Sequence, residues 1–302
     1  MFVADQVSKS VVFIGAMQEG VFRPQATGFL VLAYQRRIPD VAFPHLVTTA
    51  HVLATMQRKK IPIYCCLNRR DGSTAVVPLG NKKWFVHPEE PQTTDVAVLP
   101  FWVDLDVLDH DYIPVFNRVE RSPRASGLNL LNVGAEIFAI SLYRAGSGAE
   151  RNIPIVRIGN VASMPDDLIP TRHAGDLTAY LVELRSSTGL SGSPVFANPP
   201  GERSSRSLDE AMWGEHVFVG LMHGHLDAPD IGEESRGDQA APFTVGSHTG
   251  IGVVIPGWKI VETLYQPDSL AQMRSVTSAR RAQEGSAREL GVIPLPRRRK
   301  TG

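Results

Sequence analysis

A histidine, an aspartate and a serine, each inside an apolar, strand-like segment, constrain this fold more than any other feature of the sequence. They are His51 in Thr49-Ala50-His51-Val52, Asp95 in Thr94-Asp95-Val96-Ala97-Val98-Leu99, and Ser191 in Gly189-Leu190-Ser191-Gly192-Ser193-Pro194. A fold that brings these distant segments together would assemble a nucleophile, a general base and a group that orients the base. Their order along the chain is informative because unrelated folds that support this chemistry use different orders.

Short β-branched segments separated by turn residues predict an all-β protein. They begin with residues 10–14 and 28–33, and a second set follows from residues 136–143 to 250–254. Many short strands with Gly, Pro, Asn and Asp between them are typical of a sandwich or a barrel. With 302 residues, the chain is long enough for one large domain or two small ones.

Changes in composition divide the chain into four predicted regions. The region after residue 266 is rich in Arg and Lys and poor in apolar residues, so we expect it to be disordered. A short helix over residues 256–264 is predicted to close the second β unit. The regions are a β unit over 1–118 with His51 and Asp95, a linker over 119–128, a β unit over 129–266 with Ser191, and a basic tail over 267–302.

Composition gives little reason to expect a nucleic-acid or membrane partner. The formal net charge is zero, and only the basic cluster at residues 297–300 is a weak candidate for nucleic acid or an acidic partner. We see no signal peptide and no apolar run of the ~18 residues that a membrane span needs. The two cysteines, Cys65 and Cys66, are adjacent and are expected to be reduced, which favours a cytoplasmic location.

None of the three motifs identifies a catalytic residue by itself. Gly189-Leu190-Ser191-Gly192 could be an ordinary turn, although its glycines would also let the N–H groups of Gly189 and Ser191 converge on a developing oxyanion. The chain has nine histidines, and a histidine with apolar neighbours is more often structural. His223, His225 and Asp227 alternate as metal ligands on one strand face would, but pocket or surface positions fit them better, and we expect no cofactor.

Taken together, the three motifs resemble the chymotrypsin-like (trypsin-type) serine peptidases, in a bacterial style similar to glutamyl endopeptidases and Deg-like protease domains. The segment Thr27-Gly28-Phe29-Leu30-Val31 supports the resemblance. It implies two six-stranded antiparallel β-barrels with the active site in the cleft between them. It also implies that Ser191 is the nucleophile, His51 the base and Asp95 the residue that orients the base.

The resemblance also implies which residues form the substrate pocket. It would place Arg185, Ser186, Met222, His223 and Gly224 in the substrate pocket, where an arginine would attract an acidic side chain. The family's acidic residue before the serine is Leu190 here, so we expect no activation through a new N-terminal salt bridge.

The resulting prediction is a serine endopeptidase, intracellular and with restricted or triggered activity. Its partners would be a protein or peptide substrate and a regulatory protein. The alternative is a catalytically silent peptide-binding protein of the same fold. A lipase or esterase is disfavoured because α/β-hydrolases place the serine before the aspartate and histidine.

Overall fold

A computed structural model describes most of the chain. The described residues are 5–34, 41–80, 82–116, 131–142, 151–171, 175–184, 190–198, 212–213, 216–227, 248–282 and 293–294. The predicted linker over 119–128 and most of the acidic loop at 227–247 lie outside these residues.

The first β unit is a sheet in the order β5-β4-β1-β2-β3-β7-β6, in which all neighbouring strands are antiparallel. Strand β8 pairs in parallel with β2. A helix, α2, follows β3. The elements are α1 Asp5–Lys9, β1 Val11–Gln18, β2 Val21–Tyr34, β3 Val41–Thr48, α2 Ala50–Arg58, β4 Tyr64–Asn68, β5 Thr74–Pro78, β6 Phe85–Val86, β7 Ala97–Pro100 and β8 Ile113–Phe116.

The second β unit is a closed barrel of six strands in the order β14-β9-β10-β13-β17-β16, with β16 pairing back to β14. Strand β15 extends β16, β11 and β12 form a separate pair, and β18 pairs with β3 of the first unit. The elements are β9 Glu136–Leu142, β10 Pro154–Ser163, β11 Leu168–Thr171, β12 Gly175–Thr178, β13 Tyr180–Leu184, β14 Pro194–Ala197, β15 Met212–Trp213, β16 His216–Asp227, β17 His248–Pro256, α3 Gly257–Leu264, α4 Pro267–Ala282 and β18 Ile293–Pro294.

Side chains on opposite faces of the strands pack into three separate hydrophobic cores. In β1, Val12 and Ile14 fill the interior of the first unit, whereas Phe13 joins a cluster shared by both units. In β9, Ala139 lies in the core of the second unit and Phe138 in the shared cluster. Because successive side chains of a strand point to opposite faces, these strands are buried on both sides, and the shared cluster joins the two units.

The predicted all-β class and the closing helix are confirmed, and the tail prediction is partly wrong. Helix α3 begins after Pro256, as predicted. Helix α4, however, occupies residues 267–282, where we expected disorder. Its residues Leu270, Met273 and Val276 lie three apart and pack against the shared cluster, which gives the segment an apolar face. None of the helices in the described part of the chain is long and apolar enough to cross a membrane.

Candidate active site

His51 lies at the start of helix α2, immediately after a buried strand. Strand β3 ends at Thr48, and Thr49 keeps an extended conformation before the helix begins at Ala50. Leu53 and Met56 anchor the helix in the core of the first unit. The His51 side chain is 36% exposed, so its imidazole remains accessible while its backbone is fixed.

Asp95 holds His51 through both carboxylate oxygens. Its Oδ1 accepts the backbone N–H of His51 at 2.8 Å, and its Oδ2 accepts the Nδ1–H of the imidazole at 2.6 Å. Burial by itself would raise the pKa of Asp95, but hydrogen bonds from His223 and His51 and their positive charges lower this pKa to about 2. The carboxylate is therefore ionised at neutral pH, and it selects the imidazole tautomer that leaves the lone pair on Nε2.

A second histidine also contacts Asp95. His223, on β16 of the second unit, donates its Nδ1–H to the same Oδ2 at 2.5 Å. The rings of His51 and His223 are 5.1 Å apart, centre to centre, and are inclined at 68°. The ring of His223 is therefore turned towards Asp95, and its place in the substrate pocket stays a prediction.

A local irregularity in β16 explains why the alternation of residues failed to predict this contact. Met222 pairs with Val254 and Gly224 with Val253, so His223 is an extra residue on its strand. Such β-bulges redirect side chains and are common next to active sites. The bulge also breaks the single face on which His223, His225 and Asp227 would have alternated.

Ser191 is held against the first unit by backbone contacts. Its carbonyl accepts the N–H of Thr27 at 2.9 Å, and the N–H of Gly192 donates to Met222 at 2.8 Å. Gly192 has a φ of +87°, and a Cβ there would lie 1.9 Å from the Thr27 carbonyl oxygen and 2.8 Å from the Thr48 hydroxyl. Only glycine fits this position, and it brings the serine turn next to the strand that leads into His51.

Hydrogen bonds connect the segment before Asp95 to helix α3. Lys259 donates to Glu90 at 2.8 Å, and Glu90 accepts the hydroxyl proton of Thr94 at 3.1 Å. The hydrogen bond from Lys259 is the main cause that lowers the pKa of Glu90. Because Thr94 precedes Asp95 directly, the second unit supports the position of the aspartate from this side as well.

The predicted pocket and oxyanion-hole residues stay predictions, and the structure describes the surroundings of two of them. Met222 is fully buried in the core of the second unit. Gly224 lies beside the serine, since a Cβ added to it would be 4.0 Å from Ser191 Oγ. Arg185, Ser186 and Gly189 lie outside the described residues, and the charge of the pocket and the oxyanion hole stay predictions.

Among the described residues, one group has donor atoms close enough to suggest a metal site. It consists of His51, Asp95 and His223, whose potential ligand atoms lie within 4.8 Å of one another. The two Nδ1–Oδ2 separations, 2.6 and 2.5 Å, are hydrogen-bond distances. Ligands of a tetrahedral zinc with bonds of 2.0–2.1 Å are separated by roughly 3.3 Å. The arrangement is therefore a hydrogen-bonded cluster, and it does not have the dimensions of a zinc cage.

No family model matches the chain, and no curated protein matches it in sequence. Solved structures similar to it include the MamO protease domain from Magnetospirillum magneticum, with 16% identity, a TM-score of 0.47, and coverage of 85% of this chain and 96% of that one. Deg5 has 20% identity, a TM-score of 0.42, and coverage of 72% and 80%. The active form of the Rv3671c protease from M. tuberculosis has 17% identity, a TM-score of 0.38, and coverage of 85% and 80%.

The second β unit is a closed six-stranded barrel of the kind that the sequence predicted, and the two β units with a C-terminal helix have the predicted all-β architecture. Identities of 20% or less and TM-scores below 0.5 leave the chemistry to be argued from the residues of this chain.

Proposed function

We propose that this protein is a serine endopeptidase with Ser191 as nucleophile, His51 as general base and Asp95 as the residue that orients the base. One observation carries the proposal: an ionised, 3% exposed Asp95 fixes His51 through both its backbone N–H and its Nδ1–H. That arrangement presents the basic Nε2 of an accessible imidazole, and the turn that holds Ser191 rests on the strands leading to it.

The proposed reaction proceeds through an acyl-enzyme. Ser191 Oγ forms a bond to the peptide carbonyl carbon while its proton passes to Nε2 of His51, and the imidazolium is stabilised by Asp95. The C–N bond then breaks, and the leaving amine takes the proton from His51. Water repeats the sequence on the ester, releasing the carboxylic acid and restoring the hydroxyl of Ser191.

Restricted or triggered activity belongs to the same proposal. Gly224 on β16 lies beside the proposed nucleophile. A regulatory protein partner is the proposed source of the trigger. The cytoplasmic location and the preference for acidic side chains stay predictions from the sequence.

Covalent labelling with a fluorophosphonate, followed by intact mass, tests the proposed nucleophile. We expect one adduct on the wild type and none on Ser191→Ala. Ser193→Ala is a matched control, because its buried hydroxyl has no hydrogen-bond partner within the described structure and lies two residues away. This control should be labelled like the wild type.

The same assay separates catalysis from peptide binding. Asp95→Asn should slow labelling by on the order of 10³–10⁴-fold, because the amide can stabilise the wrong imidazole tautomer. If folded wild-type protein, with and without added peptide, shows no adduct, the peptidase proposal fails and the silent peptide-binding alternative is supported.

A further inference from the structure

The Asp95 carboxylate has a donor from each β unit. His51 of the first unit supplies two N–H groups, and His223 of the second supplies one. The Asp95 side chain is 3% exposed and that of His223 is 10% exposed, so little water reaches this contact. A buried carboxylate depends strongly on such donors, since an unsatisfied buried charge is costly.

The backbone around His223 is built to make this contact. Met222 on one side of it is anchored by two hydrogen bonds to the serine turn, to Ser193 and from Gly192, at 2.9 and 2.8 Å. The bulge at His223 then turns its ring out of the regular alternation and towards Asp95. The serine turn and the second donor to Asp95 are thus fixed by one short segment of β16.

We propose that His223 is a second positioning residue for the active site, acting on His51 through Asp95; this inference rests on the proposed peptidase function. Its Nδ1–H holds Oδ2 in the orientation that receives the Nδ1–H of His51. It also shares the negative charge of that oxygen, and so moderates how strongly Asp95 stabilises the imidazolium of His51.

This sharing of charge should change the pH dependence of activity in a known direction. Without the His223 donor, the full negative charge of Asp95 acts on His51 and favours its protonated imidazole. The neutral imidazole, which serves as the base, then forms only at higher pH. Glu90, the charged group next along the segment through Thr94, is already paired with Lys259. As an ionised carboxylate, Glu90 only accepts hydrogen bonds and cannot replace the missing donor.

Two substitutions separate the hydrogen bond from packing. His223→Leu removes the donor while filling the space, whereas the Nδ2–H of His223→Asn occupies the place of Nδ1–H and can still donate. For His223→Leu we expect kcat to fall about tenfold or more, KM to change less than about twofold, and the acid limb of the pH profile of kcat/KM to move to higher pH. His223→Asn should keep kcat within about threefold of wild type and leave the acid limb in place.

NMR provides a readout that does not depend on turnover. In protein labelled with ¹⁵N in the histidine rings, we expect two strongly deshielded Nδ1–H protons, one from His51 and one from His223. His223→Asn should lose one of them, and Asp95→Asn should displace both. Thermal unfolding identifies any variant that has lost its fold.

The possible outcomes distinguish this inference from the proposed function. Two deshielded protons in a protein that no fluorophosphonate labels would support the contact of His223 with Asp95 and reject the peptidase. A single such proton, equal losses of kcat in the two folded His223 variants, or an unchanged acid limb in His223→Leu would overturn the positioning role.

Discussion

Two histidines six residues apart, His45 and His51, show how burial decides the role of the same side chain. His51 is accessible and paired with an ionised carboxylate, whereas His45 on β3 is 1% exposed. The Nδ1–H of His45 donates to the Phe43 carbonyl at 2.9 Å, and its Nε2 has no partner in the described part of the chain. Burial therefore lowers the pKa of His45 to about 4, although the bond to Phe43 opposes this shift.

This shift makes His45 a source of acid sensitivity. Because its folded pKa is below the ordinary 6.5, stability is fully present above pH 6.5 and is lost as the pH falls towards 4. The loss is at most about 1.4 kcal/mol per pH unit for this one group. His45→Asn keeps a donor for Phe43 without a titrating ring, and its free energy of unfolding should fall less steeply between pH 6.5 and 4.

Urea titrations at a series of pH values measure how steeply the free energy of unfolding changes with pH. This slope should be smaller in His45→Asn than in wild type but not zero, because burial also lowers the pKa of His110. The lowered pKa of Asp95 acts in a separate window, between pH 3.8 and about 2. Phe43→Leu controls for packing: it should reduce stability similarly at every pH. Equal slopes for His45→Asn and wild type would contradict this explanation.

At the scale of elements, helix α4 shows that a basic, polar segment can still be part of the core. Met273 is 3% exposed in the shared cluster, and Ser269, one turn before it, is also buried. Met273→Ala should lower the free energy of unfolding by about 2–5 kcal/mol. Its exposed neighbour supplies the control, since Arg274→Ala should change stability by less than about 0.5 kcal/mol.

Chemical denaturation of these two variants tests whether α4 is a structural element. Two variants of equal stability would show that the helix contributes nothing to the core, as the original expectation of a disordered tail requires.

The elements also show what the sequence could and could not predict. Helix α3 was predictable because Pro256 precedes a compact apolar stripe that includes Ile260 and Leu264. Helix α2 was not predicted, although the buried pair Leu53 and Met56 has helical spacing. The bulge at His223 depends on long-range pairing of β16 with β17, and no local pattern in the sequence specifies such an extra residue.

At the scale of the whole molecule, the candidate site exists only where the two β units meet. Asp95 and His51 belong to the first unit, whereas Ser191 and His223 belong to the second. The individual motifs could be found in the sequence because each lies in one local segment. Their meeting depends on the shared cluster and on polar contacts across it, which involve pairs of residues too distant in sequence to be predicted.

One polar contact links the units through a reciprocal pair of asparagines. The backbone N–H of Asn152 donates to Asn68 Oδ1 at 2.8 Å, and Asn68 Nδ2 donates to the Asn152 carbonyl at 3.0 Å. The Asn152 side-chain amide also donates to the Cys66 carbonyl at 3.0 Å. Since a buried group left without a partner costs about 1–3 kcal/mol, separating the units would lose these bonds together with the apolar burial of the shared cluster.

We therefore expect the protein to unfold in urea as one cooperative unit. Of the two cysteines, both buried on β4, Cys65 lies in the core of the first unit and Cys66 in the shared cluster, so the reaction of Cys65 with a thiol reagent reports on the first unit. Circular dichroism reports on the strands of both units, and the two midpoints should coincide. Asn152→Ala should move both midpoints to lower urea together. Thiol reaction that is complete while half of the strand signal remains would show that the first unit unfolds independently, and that the site can be dismantled without unfolding the second barrel.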